Sequence, residues 1–159
     1  LLLRRQTASR FKIRLCMEME SFSGESAEAG MTCYYDENTW IKFGVRVKDG
    51  ESLCFLEENR GRDRRRTDLG KAEIRQGELR ISCSCEGLKR SFSLADAAGK
   101  TFSAEVGCAA YLCDEGYSYG KRFTGPMTGV YALGEKTYVL VTSFRTKNLN
   151  PVHVLLNKS

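Results

Sequence analysis

Apolar and polar residues alternate along most of this chain. The pattern is clearest from Phe11 to Glu20, where Phe11, Ile13 and Leu15 alternate with charged or polar neighbours. Because successive side chains of a strand point to opposite faces, this period of two predicts a strand with one buried face. The same pattern recurs in the runs "AGMTCYY", "WIKFGVRVK", "ESLCFLEE", "GELRISCSCEG", "LKRSFSL", "FSAEVGCAAYL", "MTGVYAL" and "KTYVLVTSFR".

Turn-forming clusters separate these runs, and no segment has the apolar spacing of a long helix. "DENT" predicts a turn after "MTCYY", and "SLADAAGK" predicts a single helical turn at most. About eight to ten short strands joined in this way are typical of an all-β, antiparallel sandwich or barrel. We assign residues 1–146 to this sandwich and residues 147–159 to an irregular tail, because the alternation is lost around Asn150.

The chain has 159 residues, 42% of them hydrophobic, which fits one globular domain. Its net charge of +5 includes the run "NRGRDRRR", residues 59–66. This run lies between a strand predicted to end near Glu57 and one predicted near Ile74, so we expect a solvated hairpin loop. The alternative is a patch at Arg60–Arg66 that binds nucleic acid or another polyanion, but the run lacks aromatic residues on which bases could stack.

The chain contains no apolar run long enough to span a membrane. Its opening "LLLRR" is too short for the apolar region of a secretion signal and is typical of a cut within a longer protein. We expect no membrane partner, and we expect a bacterial cytoplasmic protein because its cysteine usage, described next, fits a reducing compartment.

An odd number of cysteines, seven, argues against a closed set of disulfides. Most of them lie in predicted strands, where a free thiol packs as a small apolar residue. We therefore expect reduced thiols in a reducing compartment. A zinc site at Cys83, Cys85, Cys108 and Cys113 is the disfavoured alternative, since Cys83 and Cys85 are too close in sequence for an ordinary ligand pair.

The sequence lacks an evident catalytic constellation. Its single histidine, His153, lies in the predicted tail. Glu57 and Glu58 are adjacent on a strand and so point to opposite faces. Asp114 and Glu115 are more typical of a solvated turn. We expect no catalytic residue, no metal and no cofactor in this chain.

Phe123 lies in the segment "GYSYGKRFTGPMTGVYA", residues 116–132, which is rich in glycine and aromatic residues. The segment is either a turn with incidental aromatic residues or a loop that presents a ring to another molecule. Glycine permits the tight backbone path that such display requires.

Four stretches resemble one family in their order and spacing. They are "LLLRRQTASRFKIRLCMEM", "AGMTCYYDENTWIKFGV", "ELRISCSCEGLKRSFSL" and "RFTGPMTGVYA". They are similar to the C-terminal concanavalin A-like β-sandwich, a jelly roll, of glycoside hydrolase family 43 β-xylosidases and α-arabinofuranosidases. The resemblance runs from about Leu2 to Arg145, with "RRQ", "AG-T-YY…W" and "FTG…G" as its most specific parts.

The resemblance implies a non-catalytic accessory domain. In the family, an inverting pair of carboxyl groups lies in a separate five-bladed β-propeller, which would be the partner domain. The family role implied for Phe123, with Thr124 and Gly125, is to close the propeller's substrate pocket over a xylo-oligosaccharide. Tyr117, Tyr119 and Arg122 become candidate contacts to sugar or to the propeller. The family's sandwich has a strand upstream of "LLRRQ", so we expect the first strand to be missing and an exposed edge to be left, which would allow a homo-oligomer.

A stand-alone, lectin-like carbohydrate-binding module is the main alternative, because the same fold serves lectins. Its stacking platform would come from aromatic residues in two parts of the chain: Tyr34, Tyr35, Trp40, Tyr117 and Tyr119. The alternation opposes this reading, since it places Tyr35 in the core and Trp40 at the start of a strand.

Overall fold

The described part of the chain contains eleven β-strands, nine of which correspond to the alternating segments. The computed structural model describes residues 1–6, 8–113 and 126–149. The strands are β1 (Leu2–Arg5), β2 (Arg10–Ser21), β3 (Glu28–Asp36), β4 (Thr39–Lys48), β5 (Glu51–Arg60), β6 (Arg64–Lys71), β7 (Glu78–Glu86), β8 (Lys89–Ala95), β9 (Thr101–Val106), β10 (Met127–Leu133) and β11 (Tyr138–Asn148).

The strands make two antiparallel sheets. One has six strands in the order β1-β10-β3-β4-β5-β6, and the other has five in the order β11-β2-β7-β8-β9. The inner faces of the two sheets share one hydrophobic core, with Phe43 of β4 stacked on Phe92 of β8 at 5.1 Å between ring centroids. The predicted all-β, antiparallel sandwich is therefore confirmed.

Strand β2 has the burial that its alternation predicts. Ile13, Leu15 and Met17 have no exposed surface. Arg14 and Glu18, which occupy alternate positions of the same strand, are exposed. The predicted inner face of β7 is also buried, from Leu79 to Cys85. A period of two thus locates the core accurately in strands that have one solvated face.

Two strands, β1 and β6, lie outside the predicted set, and one predicted strand begins in the wrong place. Strand β5 continues to Arg60 and β6 begins at Arg64, so the run at residues 59–66 is mostly strand and only its middle is a turn. Ile74 lies in the connection between β6 and β7, where it is buried. The predicted strand "FSAEVGCAAYL" ends early, at Val106, and is followed by a short 3-10 helix, η1 (Ala110–Leu112).

Strand β11 contains a bulge that changes which residues face the core. Val141 pairs with Met17, but Ser143 pairs with Cys16, so Thr142 is the extra residue. Beyond the bulge, Phe144 packs on the core and Arg145 turns outward. The strand ends at Asn148, so the first two residues of the predicted tail at 147–159 belong to a strand, and residues 150–159 lie outside the described residues.

Tight turns at the predicted polar clusters fix the strand connections. At "DENT", the Asp36 carboxylate accepts hydrogen bonds from the Asn38 backbone N–H at 2.7 Å and the Thr39 hydroxyl at 2.8 Å. In "SLADAAGK", the Asp96 carboxylate accepts from the backbone N–H groups of Ala98 and Lys100 at 3.0 and 2.8 Å. This second cluster makes a capped turn between β8 and β9.

All seven cysteines fall within the described residues and are free thiols. Burial raises the pKa of the Cys54 thiol to about 12, with a backbone hydrogen bond opposing the rise. A thiol of this kind stays protonated at neutral pH and behaves as a core residue. Among the residues that the structure describes, none belongs to a helix long and apolar enough to cross a membrane.

Candidate functional site

The predicted site residues lie together in one segment outside the described residues. These are Tyr117, Tyr119, Arg122, Phe123, Thr124 and Gly125, all within residues 114–125. Asp114 and Glu115, which the sequence pattern does not favour as a catalytic pair, belong to the same segment, and His153 belongs to the undescribed terminal residues. The structure does describe both ends of the segment at 114–125 and the surfaces around them.

The N-terminal end of the segment is held by η1. Leu112 has no exposed surface, and the hydroxyl of Tyr111 donates a hydrogen bond to the Glu58 carboxylate at 2.7 Å. Arg60 donates to the same carboxylate at 2.9 Å, and its guanidinium lies 5.0 Å from the centroid of the Tyr111 ring. Burial, and then the hydrogen bond to Glu58, raise the pKa of Tyr111, so its hydroxyl remains a donor.

The C-terminal end enters β10, which lies between two other strands. Met127 pairs with Arg5 of β1 on one side and with Tyr34 of β3 on the other. Just before it, the carbonyl of Pro126 accepts a hydrogen bond from the backbone N–H of Gln6 at 2.9 Å. Both ends of the segment are therefore fixed to the six-stranded sheet.

The adjacent carboxylates Glu57 and Glu58 serve different faces of this sheet. Glu58 contacts Tyr111 and Arg60, whereas Glu57 contacts Arg64 and Arg66. The two groups cannot act on one substrate together, as the alternation predicts. Glu57 is a counterion for arginines.

The arginine-rich run, with the acids that neutralise it, forms what we call the arginine hairpin (residues 57–66). The Glu57 side chain, only 2% exposed, accepts hydrogen bonds from Arg64 and, at 2.7 Å, from Arg66. Burial alone would raise the pKa of Glu57, but the hydrogen bonds and charges of these two arginines lower it below its usual value. Arg65 pairs with Asp63 at 2.8 Å. Residues 62–66 are exposed, as expected of a solvated hairpin, but Arg64, Arg65 and Arg66 belong to an edge strand and not to a loop, and each is paired with an acid.

Cations cover the aromatic rings on the outer face of the six-stranded sheet. The Lys42 ammonium lies 4.4 Å from the Trp40 ring centroid and 5.1 Å from that of Tyr131. Arg66 lies 5.1 Å from the centroid of Phe55. Tyr35, another member of the predicted stacking platform, faces the core and is 1% exposed. In the described residues, this face does not offer the open row of rings that a lectin-like platform requires.

The described residues contain no group of three or more histidine, cysteine, aspartate or glutamate side chains placed to hold a metal ion. Cys83 and Cys85 approach each other at 3.7 Å between sulfur atoms, but both point into the core. Cys108 is exposed, so the four predicted zinc ligands do not share one environment.

Comparison with known proteins identifies this architecture. The sequence profile of the family described as the β-xylosidase C-terminal concanavalin A-like domain matches residues 1–147. No curated protein matches the chain at a significant level.

Solved structures with similar folds come from larger proteins. The GH43 protein BlXynB of Bacillus licheniformis is 25% identical, with a TM-score of 0.75, over 91% of this chain and 28% of its own. The xylan β-1,4-xylosidase of Bacillus halodurans is 17% identical, with a TM-score of 0.77, over 92% of this chain and 29% of its own. GH43B of a xyloglucan locus of Bacteroides ovatus is 20% identical, with a TM-score of 0.69, over 92% of this chain and 29% of its own.

The last two structures are less than 25% identical to this chain and therefore support only its fold. The match to the family profile covers nearly the whole chain and shows the family. The matched range also includes two of the motifs named above. "RRQ" lies at the end of β1 and the residue after it, and "AG-T-YY…W" lies in β3 and the start of β4. The chain belongs to the family of β-xylosidase C-terminal concanavalin A-like domains.

Proposed function

We propose that this chain is the accessory domain of a larger family 43 glycoside hydrolase of β-xylosidase type. The observation that carries the proposal is the family match over residues 1–147, together with the 28% of BlXynB that the chain spans. In this proposal the companion is a five-bladed β-propeller that supplies both catalytic carboxyl groups, and the substrate is a xylo-oligosaccharide. The accessory domain performs no bond cleavage.

The proposed contribution to the site is a wall of the substrate pocket, made by Phe123 with Thr124 and Gly125. Tyr117, Tyr119 and Arg122 would contact the companion domain or the sugar. The fixed ends of the segment support this role, since η1 and β10 restrict where the intervening residues can reach. A ring that excludes water from the pocket strengthens the electrostatic interactions of the reacting groups.

The isolated chain, a two-domain protein and one substitution test the proposal. The isolated chain should not hydrolyse aryl β-xylosides, whereas a protein that joins it to its propeller should. In the two-domain protein, Phe123→Ala should lower kcat/KM by about tenfold or more, because burial of a Phe-sized group contributes about 1.5–3 kcal/mol. Tyr131→Phe is the matched control, since it changes a buried aromatic residue on the same sheet outside the segment.

The melting temperature of the isolated chain separates a pocket role from a core role. We expect Phe123→Ala to change it little, since emptying a core aromatic site costs about 3–5 kcal/mol and a displayed ring does not. A large drop in melting temperature would make Phe123 a core residue. An unchanged kcat/KM in the two-domain protein would eliminate its pocket role.

A further inference from the structure

A second group of basic residues lies on the five-stranded sheet, and no sequence motif marks it. Strands β2 and β11 pair so that Lys12 lies opposite Lys147 and Arg14 lies opposite Arg145. We call these four residues the basic strip. None of them makes an ion pair or side-chain hydrogen bond with any residue in the described ranges.

The arrangement of the strip opposes folding stability. Like charges directly opposite each other on neighbouring strands repel, since their Cβ atoms are only about 4.5–5.5 Å apart. Two such pairs are consecutive on the same face. The bulge at Thr142 creates this arrangement, because it turns Arg145 and Lys147 outward.

The strip also lines concave surface. A depression of about 250 Å³ is lined by Lys12, Arg14, Arg145 and Lys147, with Thr146 between the last two. An adjoining cavity of about 190 Å³, between the edges of the two sheets, shares Thr146 and Lys147 and adds Arg4, Arg5 and Gln6 of the "RRQ" motif. Arg4 is held in place there by a 2.8 Å hydrogen bond to the Thr146 hydroxyl.

None of the described residues that line the two concavities is acidic. Clefts lined by one sign of charge raise the local concentration of ions of the opposite sign. Carboxylates match arginine geometry well, since the guanidinium can donate two parallel hydrogen bonds. We therefore expect a negatively charged ligand to balance the positive charge of the basic strip.

We propose that the basic strip and the adjoining cavity bind an oligosaccharide that carries carboxylate groups, such as a xylo-oligosaccharide with uronate substituents. The family of this chain favours a saccharide. Nucleic acid is disfavoured because the described lining of the two concavities offers one aromatic residue, Phe11, which is only 7% exposed and so presents little ring surface on which bases could stack. The described lining of this surface includes no residue of the segment at 114–125. The proposal therefore rests on family membership and does not use the pocket role of Phe123.

Calorimetric titration of the full chain tests the proposal with three probes at about 20 mM salt, where exposed charges are weakly screened. The probes are a uronate-bearing xylo-oligosaccharide, a neutral one of the same length, and single-stranded oligothymidylate. We expect the uronate-bearing probe to bind most tightly and to bind at least about fivefold more weakly at about 200 mM salt.

The variants combine Arg145→Gln with Lys147→Gln, and the control is Arg65→Gln on the opposite sheet. Because the double variant removes two of the four cations of the strip, it should lose about tenfold or more in affinity while the control keeps it. The melting temperature of the double variant should be unchanged or higher, which excludes misfolding as the cause. Equal binding of the neutral probe, tighter binding of oligothymidylate, or no binding at all would each overturn the proposal.

Discussion

Two basic regions of this domain look alike in composition and differ in how their charges are balanced. In the arginine hairpin, Arg60, Arg64, Arg65 and Arg66 each contact a carboxylate. In the basic strip, pairs of cations face each other across β2 and β11 without a described acidic partner. The density of arginine in a sequence therefore indicates little about anion binding, whereas the pairing of each charge in the fold indicates a great deal.

The hairpin has a structural role that accounts for its composition. Strand β6 is an edge of the six-stranded sheet, and almost all of its residues are exposed. Charged residues on an edge strand prevent it from pairing with another chain. Its arginines also cover Trp40 and Phe55, at 5.3 and 5.1 Å from the ring centroids, so the same residues shield apolar surface.

The largest expected effect comes from deletion of Thr142 and Ser143 together. Deletion of Thr142 alone would keep Phe144 opposite Leu15, but the double deletion brings Phe144 opposite Cys16, which turns Phe144 outward and Arg145 inward or forces the strand to slip. We expect a loss of about 3 kcal/mol or more in the free energy of unfolding, because a core ring is removed and a charge is buried. Denaturant titration measures this loss.

The control for the deletion is Thr142→Ala, which removes the 2.8 Å hydrogen bond from the Thr142 hydroxyl to Glu78 but keeps the register. We expect it to cost less than about 1 kcal/mol. Equal losses in the deletion and in Thr142→Ala would mean that the bulge does not orient the strip.

A smaller loss in the free energy of unfolding is expected for Glu57→Gln in the arginine hairpin. Removing one partner of a buried ion pair costs about 3–5 kcal/mol, and we expect about 2 kcal/mol here because Arg64 is 57% exposed. The pKa of Glu57 is lower in the folded state than its usual value of 4.5, so its contribution is present above that value and disappears as the pH falls through the folded pKa.

This pH dependence supplies a second readout for Glu57→Gln. Denaturant titrations at pH values from neutral to acidic should show the wild type and the variant converging in stability at low pH. If the difference between them stayed constant down to strongly acidic pH, ionised Glu57 would not be what stabilises the hairpin. Asp63→Asn is a suitable control, since Asp63 is 51% exposed.

Tyr111→Phe should lower the free energy of unfolding by about 1 kcal/mol, because it removes the hydroxyl that donates a hydrogen bond from η1 to Glu58. The half-buried Glu58 carboxylate keeps its contact with Arg60, which limits the loss. In the two-domain protein, the same variant should raise KM if η1 fixes the segment that follows it. Unchanged stability would mean that the hydrogen bond does not anchor this end.

The sequence predicts those parts of the fold in which one face is buried and the register is regular. Strand β2 and the inner face of β7 follow alternation closely, so their core residues are predictable. Strand β6 has no such alternation, because both of its faces and its edge are polar, and it therefore resembles a loop. The orientation of Arg145 depends on the bulge at Thr142, which depends on pairing with β2 and leaves no local signal.

The candidate site is predictable to a different extent. The family and its motifs indicate the segment around Phe123, and its role stays a prediction because residues 114–125 lie outside the described part of the chain. The contacts that fix the ends of the segment, such as Tyr111 with Glu58, join residues distant in sequence. The sequence alone does not bring such pairs together.

The most direct test compares the stability of Arg66→Gln in the hairpin with that of Arg145→Gln in the strip, at low and high salt. The paired arginine should stabilise the fold and the unpaired one should not, so Arg66→Gln should lower the free energy of unfolding by about 1 kcal/mol. Arg145→Gln should raise it by about 0.5 kcal/mol at low salt, with the gain fading as salt screens the repulsion. Opposite signs are the predicted result, and a loss of stability in both variants would contradict the account.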